Sequence, residues 1–261
     1  MPTAYSKLLQ SVRDDDGTLT LEVPEDWMQG RSVFGGLQVA VALQAMRTLV
    51  PDIPLRTLQA TFLGPVAGLV RARAQVLRIG KSVTHVEARI VDGTTTLALV
   101  VGVFGTARSS AVAVAPTQPQ FKADHSLELP DIPGVIPIFT QHFAARWLRG
   151  MPPFTGDTGC DHVIEVDMQD EGRATEGHVV AIADFIPPLA LTHLTTPAPG
   201  STLTWMMELL TDRVDHLPLA GWRVDAQLVA ARDGYTSQSV MVWGPGGEPV
   251  ALSRQSMMVF G

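Results

Sequence analysis

Ala74-Gln75-Val76-Leu77-Arg78-Ile79-Gly80, followed further on by Val103-Phe104-Gly105, returns later in the chain as Ala226-Gln227-Leu228-Val229, followed by Val259-Phe260-Gly261. In both copies the residues between read as strand, turn, strand. The copies lie 152 residues apart at Gln75 and Gln227 and 156 apart at Phe104 and Phe260, so the second carries a few extra residues, placed around Arg232-Asp233-Gly234. Upstream, Arg56-Thr57-Leu58-Gln59-Ala60-Thr61-Phe62 has a looser counterpart in Ser201-Thr202-Leu203-Thr204-Trp205-Met206-Met207. A repeat this long is a duplicated domain rather than a solenoid unit. Duplicated halves diverge, and polar residues present in one copy alone point toward chemistry.

Ahead of the first copy, Val33-Phe34-Gly35-Gly36-Leu37-Gln38-Val39-Ala40-Val41-Ala42-Leu43-Gln44-Ala45-Met46 is of helix length and apolar almost all round, which places it inside the molecule rather than on a surface. Strands are expected at 55–63, 69–79, 82–91 and 95–104, with Asp92-Gly93 as a hairpin signal. A buried helix followed by a run of antiparallel strands describes a sheet curled around a helix. Residues 106–137 change to Ala, Val, Pro, Gln and Ser, a linker composition. The domains are therefore expected at 1–110 and 137–261, joined by 111–136. In the second half a helix is expected over 177–194, kinked or broken by Pro187-Pro188, with strands at 202–210, 222–231, 236–243 and 250–259.

Composition narrows the function classes. The 261 residues, 46% hydrophobic and 17% charged, suffice for buried cores, and a net charge of −7 argues against a general binder of nucleic acid or anionic membrane. No apolar run reaches the length of a membrane span, and the start reads as no signal peptide. The single cysteine, Cys160, cannot form an internal disulfide, so a cytoplasmic protein is expected.

Four segments, Val33-Phe34-Gly35-Gly36-Leu37-Gln38, Ala183-Asp184-Phe185, Thr202-Leu203-Thr204-Trp205 and Arg254-Gln255-Ser256-Met257-Met258, resemble the TesB-like acyl-CoA thioesterase II branch of the hotdog superfamily, in its thioesterase-like double-hotdog form. The resemblance runs through nearly the whole chain in order of elements. It implies an α+β tandem hotdog, two curled antiparallel sheets each wrapped around a central helix, packed into one continuous sheet. It also implies hydrolysis of an acyl-CoA to free acid and CoA, with no cofactor, and a homo-oligomer, dimer or tetramer.

Asp184 interrupts an apolar stretch, and a carboxylate there is either paired or functional. In the resembled family an aspartate on this helix activates the attacking water, and a glutamine of the terminal strand, here Gln255, holds that water with it. Counting back from Phe260 and Phe104 pairs Gln255 with Leu99 in the first copy, an apolar residue in place of an amide. The family's threonine lies a few residues ahead of the tryptophan-bearing strand, where this chain departs with Pro197-Ala198-Pro199-Gly200-Ser201, so Thr202 is the nearest usable hydroxyl, with Ser201 and Thr204 as alternatives. Gly35 and Gly36 open a helix whose backbone N–H groups could hold an oxyanion, and Arg78 and Lys81, near Arg89 at a turn, are candidates for the CoA phosphates. A thioester is electrophilic enough for a general base, an oriented water and an oxyanion site to suffice.

Other chemistries fail on spacing. Gly80-Lys81-Ser82 has Gln75 where a P-loop needs its first glycine, and the chain contains no Gly-x-Ser-x-Gly elbow. The seven histidines are scattered without a metal-binding pattern, so no metal is expected. Hotdog hydratases place a histidine shortly after their aspartate, whereas the first after Asp184 is His193. A hydratase, or a shell that binds acyl-CoA without turning it over, are the alternatives.

Overall fold

The computed structural model describes residues 2–15, 17–129, 132 and 134–261. In chain order the first half gives α1 (Tyr5–Gln10), β1 (Arg13–Asp15), β2 (Thr18–Glu22), the two-residue strands β3 (Met28–Gln29) and β4 (Ser32–Val33), α2 (Gly35–Leu49), β5 (Leu55–Phe62), β6 (Leu69–Ile79), β7 (Val83–Asp92) and β8 (Thr95–Gly105). After β9 (Leu127–Glu128) come β10 (Phe143–Arg149), β11 (Asp161–Met168), α3 (Glu176–Asp184), β12 (Gly200–Leu209), β13 (Trp222–Arg232), β14 (Tyr235–Trp243) and β15 (Pro249–Val259).

Thirteen of these strands form one antiparallel sheet in the order β1-β2-β6-β7-β8-β5-β12-β15-β14-β13-β11-β10-β9. The repeat is visible in that order, because β2-β6-β7-β8-β5 is mirrored by β11-β13-β14-β15-β12 about the β5–β12 seam. There Ala60 pairs with Trp205 and Thr61 with Thr204. The halves meet in a single sheet continuous through this seam, as the resemblance implies, and two edge strands that pair leave no unsatisfied row of backbone groups between them.

α2 is buried as its sequence demands, with Gly36 to Leu43 as well as Ala45 and Met46 inside. It packs on α3, and the two run antiparallel: the Gly36 Cα faces Ala181 at one end, while Arg47 near the C-terminus of α2 makes a paired hydrogen bond with Glu176 in the first turn of α3 at the other. That ion pair places a cation at a helix C-terminus and an anion at an N-terminus, the favourable arrangement for both macrodipoles. Thr175 caps α3, its hydroxyl accepting from the His178 N–H.

α3 is shorter than the expected 177–194. It stops at Asp184, and a separate 3-10 turn covers Leu189–His193. Pro187 and Pro188 bring no N–H to continue the ladder, so the chain leaves the helix there. An aromatic cluster joins the halves, with Trp27 stacked on His142 at 3.9 Å, Phe34 on Phe139 at 4.1 Å, and Phe143 against Phe185 at 4.7 Å.

Candidate active site

Asp184 is the last residue of α3, and its carboxylate points across the helix pair at the opening turn of α2. The Gly36 N–H is directed at it, and a Cβ on Gly35 would stand 2.7 Å from its Oδ2. Glycine at 35 is therefore what allows the carboxylate to approach the positive end of α2. A Cβ on Gly36 would in turn meet the Phe34 ring at 2.8 Å and the Ala181 Cα at 3.1 Å, so this second glycine sets the spacing of the helices.

From the sheet side, Gln255 on β15 donates its Nε2–H to Asp184 Oδ1 at 2.7 Å. Gln255 is fully buried, and its Oε1 accepts from Gln238 Nε2 of β14 at 2.8 Å. Burial lifts the Asp184 carboxyl from the ordinary range to about 7, against the opposing pull of the Gly36 N–H and the Gln255 amide. A carboxyl that exchanges its proton near neutral pH is what a general base requires.

Asp184 opens onto a cavity of about 540 Å³ lined by Arg31, Ser32, Gly35, Gln38, Phe62 and Thr202, among others. The structure thus brings Asp184, Gln255, Gly35 and Gly36 together, with Thr202 on the same cavity. Thr202 pairs with Met257 beside an irregularity of β12 at Thr202/Thr204, and Ser201 also lines the cavity.

Arg78 and Lys81 do not line this cavity. They stand at the exposed tip of the β6–β7 hairpin, where Ile79 pairs with Thr84, Thr84 with Phe104, and the Phe104 ring lies under Arg47 at the C-terminal end of α2. A helix of 15 residues separates that end from Asp184 by about 20 Å. Arg31, exposed on the cavity rim, is a cation that the sequence pattern does not single out.

The register also corrects the counterpart of Gln255. On β8 the side chains facing the helices are Ala98, Val100 and Gly102, while Leu99, paired with Thr61, faces the other way. The seam registers place Val100 or Gly102 opposite Gln255, since the extra residues of the second copy break the simple count from Phe104.

Helix pairing likewise supplies a counterpart for Asp184. Gly36-Leu37-Gln38-Val39-Ala40-Val41-Ala42-Leu43 aligns without a gap on Gly177-His178-Val179-Val180-Ala181-Ile182-Ala183-Asp184, so Leu43 stands where Asp184 does. Among the described residues no cluster of His, Cys, Asp or Glu is arranged to hold a metal ion.

Residues 23–105 match the profile of the acyl-CoA thioesterase N-terminal domain, and residues 115–259 that of the acyl-CoA thioesterase C-terminal domain. The chain belongs to the acyl-CoA thioesterase family. It is a thioester hydrolase, and the TesB-like resemblance of its motifs holds. No curated protein sequence matches the chain. Among solved structures, this thioesterase is similar to a hot dog fold protein from Alicyclobacillus acidocaldarius, at 18% identity over 99% of each chain with a TM-score of 0.86. It is also similar to the tesB protein of Mycobacterium avium subs paratuberculosis, at 14% identity over 98% of each chain and a TM-score of 0.77. The acyl-CoA thioesterase II TesB2 of Mycobacterium marinum gives 15% over 97% of each chain and 0.72. At these identities the likeness is one of fold. No helix among the described residues is long and apolar enough to cross a membrane.

Proposed function

We propose that this thioesterase hydrolyses acyl-CoA by direct attack of water, giving free acid and CoA, with Asp184 as general base. The observation that carries the reading is the Asp184–Gln255 contact at 2.7 Å, made at a carboxyl whose proton is exchangeable near pH 7 and which opens on a cavity. Asp184 takes a proton from the water as its oxygen attacks the thioester carbon. The C–S bond then breaks, and the thiolate leaves with the proton Asp184 has held. Gln255 commits one Nε2 hydrogen to Asp184, leaving the second to hold the water or the thioester oxygen, and Thr202 offers a hydroxyl to the same water. The N–H groups that open α2, Gly35 among them, stabilise the oxyanion. Arg31 is the cation placed to meet a CoA phosphate at the cavity mouth.

The chain is, in this reading, a tandem of hotdog units at 1–110 and 137–261 joined by 111–136, supported by the mirrored strand order. Cytoplasmic placement and assembly into a dimer or tetramer belong to the same reading. They are supported by the lone unpaired cysteine and by the apolar Met206, Leu252 and Val229 left exposed on the sheet. The test is release of free thiol from a panel of acyl-CoAs by the purified protein. Turnover of at least one supports the reading. Tight binding with no release from any contradicts it in favour of a non-catalytic binder, and turnover of an enoyl-CoA without thiol release in favour of a hydratase.

A further inference from the structure

Gln238 stands on β14 directly across from Gln255, wholly buried, on a sheet face it shares with Thr236, Val240 and Val242. A buried amide is costly unless its polar atoms are satisfied, and here all are engaged. Its Oε1 accepts from the Leu189 backbone N–H at 2.9 Å, and its Nε2 donates to Gln255 Oε1 at 2.8 Å and lies 3.5 Å from the Pro187 carbonyl. The first of these bonds decides which way round the amide sits. A backbone N–H can only donate, so the atom facing it must be oxygen, and Nε2 must then face Gln255. Gln255 is fixed in turn, its oxygen taken up by Gln238 and its Nε2 facing Asp184 Oδ1. One polarity therefore runs from the first backbone donor after the Pro187-Pro188 break to the carboxylate.

The first half shows that the fold does not need an amide at this place. Across from Val100 and Gly102 on β8 stand Ala88 and Val86 of β7, both apolar. The second half has thus put two buried glutamines where the first has none, on the one end of the helix pair that holds a carboxylate.

We propose that Gln238 is a positioning residue of the hydrolytic site, holding the Gln255 amide with its hydrogens toward Asp184 and the reacting atoms. The inference rests on the hydrolytic reading above. Without Gln238 the Gln255 amide is free to rotate by half a turn, which sets Oε1 against the carboxylate and turns away the hydrogen meant for water or thioester. The other titratable groups around the carboxyl are Arg31 on the cavity rim and the buried Tyr5 phenol, and Gln238 hydrogen-bonds neither.

The experiment compares kcat and KM across pH, by thiol release from an acyl-CoA, for wild type, Gln238→Met, Gln238→Glu, Gln255→Ala and the Gln238→Met/Gln255→Ala pair. Gln238→Met is expected to lower kcat about tenfold with KM within about twofold, and to move the acidic limb of the profile to higher pH, since a carboxylate facing an amide oxygen ionises less readily. Gln238→Glu keeps the acceptor for Leu189 and loses the donor toward Gln255 once its own carboxyl ionises, so it is expected to lower kcat to a similar degree at the alkaline end of the profile, where that carboxyl is charged; it decides the matter if the Met variant does not fold. In the Gln255→Ala background, Gln238→Met is expected to change kcat less than about twofold. Wild-type kcat and pH profile in the folded Gln238 variants, or an equal loss with and without Gln255, would overturn the inference alone. A wild type that releases no thiol overturns the hydrolytic reading beneath it.

Discussion

Burial lifts Asp184 to about 7, so near neutral pH the residue divides its time between base and acid, and each form has a measurable consequence. In the proposed mechanism activity needs the ionised form, so kcat/KM should fall as pH drops through about 7. Stability runs the other way. The unfolded chain ionises this carboxyl in the ordinary range, so it binds fewer protons than the folded chain between about pH 4 and 7, and stability declines as pH rises through that window. Holding the ionised form in this site costs about 4 kcal/mol after the Gln255 and Gly36 donors have contributed, and an asparagine keeps only part of their help because it presents an NH2 to one of them. Asp184→Asn is therefore expected to stabilise the protein by about 2 kcal/mol at pH 8, with no gain at pH 4, as read by denaturant titration at both pH values. Equal stabilisation at both pH values would show that the carboxyl is not held neutral by its surroundings. Gln255→Ala is expected to lower kcat less than Asp184→Asn does, because in the proposed mechanism Gln255 orients a water rather than taking its proton.

The two helices present unlike ends to the sheet. At one end Arg47 and Glu176 complement both macrodipoles; at the other, a carboxylate hangs from the C-terminus of α3, where the dipole disfavours it, and is held by the N-terminus of α2. Gly35 makes this possible, and Gly35→Ala is expected to displace the Asp184 carboxylate, lowering kcat by about 10²-fold with little change in thermal stability. Gly36→Ala forces backbone and ring apart and is expected to cost about 1 to 3 kcal/mol of stability. Wild-type activity in the first variant, or wild-type stability in the second, would contradict these roles.

At this scale the sequence was legible where a pattern is carried by many residues. The apolar all-round α2, the strand alternation and the repeat each predicted what the fold shows. Single polar residues were legible where they broke an apolar run, as Asp184 does. Gln238 was missed because Thr236-Ser237-Gln238-Ser239 reads as a polar stretch until its inward face is known. Leu43 was missed because matching the helices residue for residue needs their pairing. Arg78 and Lys81 stand off the cavity for a reason no local pattern carries, since a turn's distance from Asp184 is set by the length of α2.

One chain carries two copies of the fold and, by the proposal, one catalytic center. The other end has Leu43 for Asp184, Val100 or Gly102 for Gln255, and Ala88 or Val86 for Gln238, an apolar residue at each of the three positions. A non-hydrolysable CoA thioether is expected to bind once per chain in calorimetry, and Leu43→Asp should destabilise the protein without adding activity, because a charge there would be buried without donors from the sheet. Two equal sites per chain would contradict the asymmetry. The proposed role of Asp184 as general base is tested by the pH dependence of thiol release by wild type and Asp184→Asn. A wild-type acidic limb centred near pH 7 is expected, with an Asn variant that binds the thioether with unchanged affinity while its kcat falls by about 10² to 10⁴ and its limb disappears. An Asn variant with wild-type kcat, or one that retains the limb near pH 7, would contradict it.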